Sequence, residues 1–230
     1  MVASDAMTIA TFIFDPLCGW CYGASPVLDR MGEEGYGLDL LPIGRPEEAR
    51  PIEPDFAALI WATDQQVTRH TRQPFTPAYR ALLDGGEAQL DAWPATLAVI
   101  AVARTRPDRQ LAALNALQIA RFVNGRDTGS MAVVETILRE IGLRNAADLM
   151  VSANPVLIAS TEAAVLRGRG LLARYGMDGG PAVLLSSAGE ARMLGAQELI
   201  ARSEAQGVKA VPEARNARKP LGVAKGLVLV

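Results

Sequence analysis

The sequence predicts a mixed α/β fold in which a small sheet is interrupted by a long run of helices. Three observations carry that expectation. β-Branched and aromatic residues mark strands near the start of the chain and again late in it, at 181–194. Between about Asp55 and Tyr175 the apolar residues recur instead at helical spacing. The chain is 230 residues long, half of them apolar and only 21% charged, so it can bury a real core and is not globally disordered.

The elements follow in order. Residues 8–14 read as a buried strand that ends at Asp15-Pro16, a breaker pair, and Cys18-Gly19-Trp20-Cys21 comes at once after it. Val27, Leu28 and Met31 give one apolar face to a helix over about 21–31, so the cysteine motif stands at a helix N-terminus. A second strand is expected at 38–43, closed by a Gly/Pro-rich link over 44–54. In the middle region Met131, Val134, Leu138 and Ile141, joined by Ile137, form a helical stripe, and strands are not expected there. Asp91 before Trp93-Pro94, and Asp108 after Pro107, stand where helix N-caps are expected, and Gly142 and Gly176 where helices stop. A strand at 181–186, a turn at 187–189, a hairpin partner at 191–194 and a last helix at 196–205 complete the pattern.

That order is the layout of a thioredoxin-like fold with a large all-helical domain inserted after the second strand. The expected division is 7–50 with 176–206 for the discontinuous sheet domain, 51–175 for the inserted helices and 207–230 for a C-terminal tail.

Composition narrows the partners. Lys and Arg total 23 against 25 Asp and Glu, and the pI is near 5.6. No basic field is present to hold nucleic acid or an anionic membrane, and aromatics at 5% offer no stacking platform for bases. The apolar run between Asp91 and Arg104 is 12 residues, well short of the ~20 that span a bilayer. The first residues carry an acid, Asp5, where a signal peptide wants positive charge, so a cytoplasmic location is expected. No G-x-S-x-G, Walker A or H-E-x-x-H motif is present.

Cysteine and histidine are scarce, and the scarcity is informative. Two cysteines three apart do not make a secreted disulfide framework. A structural zinc site wants about four ligands, whereas Cys18, Cys21 and His70 are the whole supply, so no metal is expected. Redox chemistry is the remaining use of the pair. Disulfide exchange needs a thiolate, and a free thiol has a pKa of ~8.5. At a helix N-terminus, unpaired N–H groups and the positive end of the helix dipole favour the anion. Cys18 is placed there, and Cys21, one turn deeper, is expected to be the more buried thiol.

The segment Phe14-Asp15-Pro16-Leu17-Cys18-Gly19-Trp20-Cys21, continuing to Pro26, resembles the start of the DsbA-family thiol–disulfide oxidoreductases, in particular their FrnE-like branch. The resemblance runs on through Gln73-Pro74-Phe75, through 120–127 and through Gly179-Gly180-Pro181 to about Leu199. It implies that Cys18 attacks, that Cys21 resolves, and that Gly180-Pro181 forms a cis-proline loop facing the pair. Gly19 and Trp20 then occupy the slots that help tune the redox potential, with Trp20 exposed beside the sulfurs. Relatives in the wider thioredoxin group keep a buried acid six positions before the first cysteine. Here that position is Phe12, which leaves Asp15 as the nearest acid, to assist protons or to cap the loop. Arg72 stands where a small residue is expected before the Gln-Pro-Phe run. Phe75, Trp61 and Trp93 are expected in the core of the insert, and His70 at its surface or in its packing.

The function expected is thiol–disulfide exchange or isomerisation on protein or peptide substrates, with no bound cofactor and with glutathione as a candidate co-substrate. The oligomer is left open between monomer and homodimer. The alternative is a glutathione-dependent enzyme of the kappa-class transferase or 2-hydroxychromene-2-carboxylate isomerase type, and the intact cysteine pair weighs against it. A non-catalytic binding module on the same scaffold is the third reading.

Overall fold

A computed structural model describes residues 7–44, 49–86, 88–152 and 154–205; the tail expected at 207–230 and part of the 44–54 link lie outside them. Strand β1 (Ile9–Phe14) runs into helix α1 (Gly19–Glu33), and β2 (Gly37–Pro42) returns parallel to β1. Late in the chain β5 (Ala182–Ser187) pairs antiparallel with β1 on its other side, and β6 (Glu190–Leu194) closes the sheet in the order β2-β1-β5-β6. The β5–β6 turn is made by Ala188 and Gly189, both with positive φ (48° and 89°), as a two-residue turn between right-twisted strands requires. Helix α9 (Ala196–Ala205) follows.

Strand β1 is buried on both faces, and the alternation of its side chains decides what each face meets. Ala10, Phe12 and Phe14 join Leu40 and Val183 on one face, against Ala24, Val27, Leu28 and Met31 of α1 and Leu199 of α9. Ile13, Leu41 and Ala182 point the other way, onto Leu172 of helix α8 (Pro155–Arg174). Gly168 lets α8 lie close to β2, since a Cβ there would stand 3.1 Å from Ile43. Arg169 then donates two hydrogen bonds to the Ile43 carbonyl, at 2.8 and 2.6 Å.

Between β2 and β5 the chain is almost wholly helical: α2 (Pro54–Thr71), α3 (Pro77–Asp84), α4 (Trp93–Thr105), a 3₁₀ turn at Pro107–Arg109, α5 (Gln110–Phe122), α6 (Met131–Glu140) and α7 (Arg144–Val151) precede α8. The apolar run between Asp91 and Arg104 is α4, buried around its circumference from Pro94 to Val102 and packed by α5, α6, α7 and α8. Its buried residues belong to the same continuous cluster as the α1 face of the sheet. No single described helix is long and apolar enough to cross a membrane.

Three local expectations need correction or refinement. Arg50–Pro51 (β3) pairs with Gln89–Leu90 (β4) inside the region read as free of strands, because two residues are too few to show a period. Asp108 does not cap a helix; it lies in the 3₁₀ turn and pairs with Arg106 at 2.9 Å, whereas Asp91 accepts from the Trp93 amide at 2.9 Å as expected of an N-terminal acid. Arg72, where a small residue was expected, ends α2 at φ 62°, the left-handed cap position that glycine ordinarily fills. Gly142 and Gly176 have positive φ just beyond α6 and α8, as helix stops should.

Ala188 is strained by its left-handed backbone, which costs an L-residue with a Cβ about 1–2 kcal/mol. Ala188→Asn should therefore stabilise the protein, by about 1 kcal/mol or less. A denaturant midpoint that moves up with an unchanged slope would bear this out, and a midpoint that falls would refute it.

Candidate active site

Cys18 is the N-cap of α1, with extended backbone (φ −83°, ψ 120°), and its carbonyl accepts the first helical bond from the Tyr22 amide at 3.1 Å. The approach to it is a tight turn. The Cys18 amide donates to the Asp15 carbonyl at 3.2 Å, and Asp15 Oδ1 accepts from the Leu17 amide at 2.7 Å. No side chain caps the helix, so its first N–H groups and its dipole face the Cys18 sulfur region. Pro26 lies inside α1 and lacks the N–H that Tyr22 would otherwise accept; Ser25 Oγ donates to that carbonyl instead, at 2.8 Å.

Both cysteines are free thiols, and burial separates them: Cys18 is half-buried, whereas Cys21 has no exposed surface. Burial pushes the Cys21 thiol well above its usual range, and the hydrogen bond and charge of Cys18 push it further. A backbone hydrogen bond from Asp15 works in the opposite sense, while the Asp15 charge adds slightly to the rise. Phe12, where an acid was noted as missing, is fully buried and stacks on Phe14 with ring centroids 5.2 Å apart.

The Gly180-Pro181 bond is cis. Gly180 is tightly held, because a Cβ on it would stand 2.8 Å from the Ile13 carbonyl oxygen and 3.4 Å from Cys21 Sγ. The turn before β5 thus reaches the buried thiol across the end of β1.

The helical insert supplies the other wall. A cleft of about 280 Å³ opens beside Cys18, lined by Leu17, Trp20, Phe56, Ile60 and Asp64 among others, with Leu59 60% exposed at its edge. Trp20 is half-buried against an aromatic cluster and meets the His70 ring at 6.2 Å; His70 itself is exposed and pairs with Glu204 at 3.0 Å. In that cluster Phe122 meets the rings of Tyr22, Phe75 and Tyr79 at 5.0–5.1 Å, joining the residue after Cys21 to the insert. Trp61 packs on this cluster and Trp93 on the main core.

Asp64, on α2, was not among the residues anticipated. It is only 4% exposed, and a Cβ built on Gly19 would overlap its Oδ1. The Tyr79 hydroxyl donates to Oδ2 at 2.9 Å. Burial raises the Asp64 carboxyl to about 7, against the opposing pull of the Tyr79 hydrogen bond and the Arg121 charge. A signal for it does exist in the sequence. The buried face of α2 is Ala57, Asp64, Val67 and Thr71, steps of seven, three and four, so an acid sits on an apolar stripe at helical spacing.

That environment makes folding stability depend on pH. The Asp64 pKa is raised from 3.8 to about 7, so between those values the folded protein holds a proton that the unfolded chain has released. The group's contribution is fully present below about pH 4 and is lost as pH rises through about 7. Asp64→Asn has no proton to lose, so its Tm should gain on the wild type as the pH rises from 5 to 8. Parallel curves of Tm against pH would contradict this.

No family model matches the chain, and no curated protein matches it. Solved structures do. The cytosolic disulfide reductase DsbM from Pseudomonas aeruginosa is similar with a TM-score of 0.74 at 28% identity, over 86% of this chain and 98% of that one. A structure of the same protein with GSH gives 0.72 at 27% identity over the same shares of the two chains. A candidate protein disulfide isomerase from Nitrosomonas europaea shares the fold, with a TM-score of 0.68 at 23% identity over 87% of this chain and 98% of that one. In its thioredoxin-like fold and in the paired thiols at the start of a helix, this chain is similar to DsbA-like thiol–disulfide oxidoreductases.

Proposed function

We propose that the protein reduces or isomerises disulfides in peptide or protein substrates through Cys18 and Cys21, with Cys18 attacking and Cys21 resolving. The observation that carries this reading is the difference in burial: Cys18 borders the cleft, and Cys21 lies wholly behind it. The Cys18 thiolate attacks one substrate sulfur, and the other leaves as a thiolate that takes up a proton. The mixed disulfide neutralises Cys18, which removes one of the influences that hold Cys21 protonated. Cys21 then loses its proton and attacks Cys18. The second substrate thiol departs, and two electrons have passed from the protein to the substrate.

Asp15, Gly19, Trp20, Gly180 and Pro181 support the pair in this reading. Asp15 pins the loop through the Leu17 amide, Trp20 walls the cleft, and the Gly180-Pro181 turn abuts Cys21. The likeness to DsbM, one structure of which contains GSH, supports glutathione as the reductant: two molecules reopen the Cys18–Cys21 disulfide and leave as the oxidised dimer. The same likeness supports action in the cytoplasm.

Cys18→Ser should abolish reduction of a disulfide peptide. Cys21→Ser should instead accumulate a mixed disulfide visible by mass spectrometry, because the resolving attack is lost. Turnover by Cys21→Ser at the wild-type rate would favour a monothiol, glutathione-transferring enzyme.

The direction has its own test. Equilibrated with glutathione, the pair should show a potential nearer to about −270 mV, as in thioredoxin, than to about −120 mV, as in DsbA. Insulin reduction should be measurable but slower than a thioredoxin's, since Phe12 gives Cys21 no acid in the strand. A strongly oxidising potential would overturn the preference for reduction.

A further inference from the structure

We propose that Asp64 is a positioning residue of the redox site, delivered by the helical insert, whose carboxylate opposes the thiolate on Cys18 and so biases the pair toward giving up its electrons. The proposal rests on the reading of Cys18 as the attacking thiol and adds the group that sets its readiness.

Gly19 is the residue next to Cys18, and Asp64 Oδ1 fills the space where its side chain would be. Asp64 and Cys18 line one cleft. The two carboxylate oxygens are not equivalent. Oδ2 is anchored by the Tyr79 hydroxyl, whereas Oδ1 accepts no hydrogen bond among the described residues and is the one turned to the active-site loop. At 4% exposure little water screens the carboxylate, so its charge reaches the shared cleft with little attenuation.

The groups facing Asp64 are few. Tyr79 comes from α3, Arg121 from α5, and Cys18, the N-cap of α1, lines the same cleft. Arg121 is itself held by Asp127 at 3.3 Å, so part of its charge is answered elsewhere. His70 and Glu204 pair with each other at the exposed C-terminal end of α2. The Asp64 carboxyl titrates near neutrality, which makes it an anion under the conditions in which Cys18 must ionise. Two neighbouring anions disfavour each other.

Asp64 takes no electrons and forms no bond to sulfur. Its charge destabilises the thiolate that belongs to the reduced form of the pair. The Cys18–Cys21 disulfide, with the substrate reduced, is favoured accordingly. The acid that the strand lacks at Phe12 is thus replaced, on a different element, by one that acts on the half-buried cysteine.

The test is the pH profile of Cys18 alkylation by iodoacetamide, in a Cys21→Ser background. Asp64→Asn should raise the rate at pH 7.5 by about tenfold, and the gain should shrink toward pH 5.5, where the wild-type carboxyl is neutral as well. With both cysteines present, the same substitution should raise the reduced-to-oxidised ratio in a fixed glutathione buffer by a similar factor. Tyr79→Phe removes the hydrogen bond that favours the carboxylate, so it should speed alkylation near pH 7 and converge on the wild type at higher pH. A profile of Asp64→Asn that superimposes on the wild type would overturn the proposal. Should that variant fail to fold, an unchanged Tyr79→Phe profile would do the same. A Cys18 that resists alkylation at every pH would overturn the underlying site assignment as well, whereas normal Cys18 reactivity with no Asp64 dependence would sink this inference alone.

Discussion

Helix α2 lies directly against the start of α1 because Gly19 and Gly23, one turn apart, offer no side chains there. A Cβ at Gly19 would overlap Asp64, and one at Gly23 would stand 2.6 Å from Val67 and 3.1 Å from Thr71. The cleft beside Cys18, the burial of Asp64 and the seating of Phe75 3.2 Å from the Gly19 Cβ position all follow from that approach. Larger residues at either glycine would lift the insert away from the thiols and open the site to water. The contact is therefore both structural and chemical, since the same surface that packs two helices brings a carboxyl to the redox loop.

The difference in burial between the thiols has an equally simple origin. A helix that begins immediately after Cys18 leaves that residue half-buried at the rim of the cleft. Three residues on, Cys21 has turned inward onto the sheet and the Gly180-Pro181 loop, where desolvation keeps it protonated. One geometry thus produces two sulfurs of unlike character from identical side chains.

The insert is not an appendage to this site. The buried residues of α4 to α7 are continuous with those of β1 and α1, and Asn115 on α5 reaches back to Asp29 on α1 at 3.1 Å. A second cluster centred on Phe122 carries Tyr22, the neighbour of Cys21, on aromatic rings from α3, α5 and the Gln73-Pro74-Phe75 turn. With the insert fused to the core in this way, motions that would draw Asp64 away from Gly19 must break packing on two fronts.

Local chemistry is what the sequence by itself determined. The strands, the long helical middle, the glycine stops at Gly142 and Gly176 and the placement of Cys18-Gly19-Trp20-Cys21 at a helix start are all set by side-chain period and backbone preference within a few residues. The turn at 187–189 and the order of the elements were legible for the same reason. Tertiary structure alone decided which helix of the insert faces the thiols. The charge on Asp64 is visible at its place on an apolar stripe, but its partner Tyr79 lies 15 residues away, and Arg121 and Gly19 lie on other helices. Desolvation depends on what surrounds a group in space, and no local pattern records the neighbours that shut out the water. For that reason the cysteine pair could be read along the chain, whereas the acid beside it emerged only once the chain had packed.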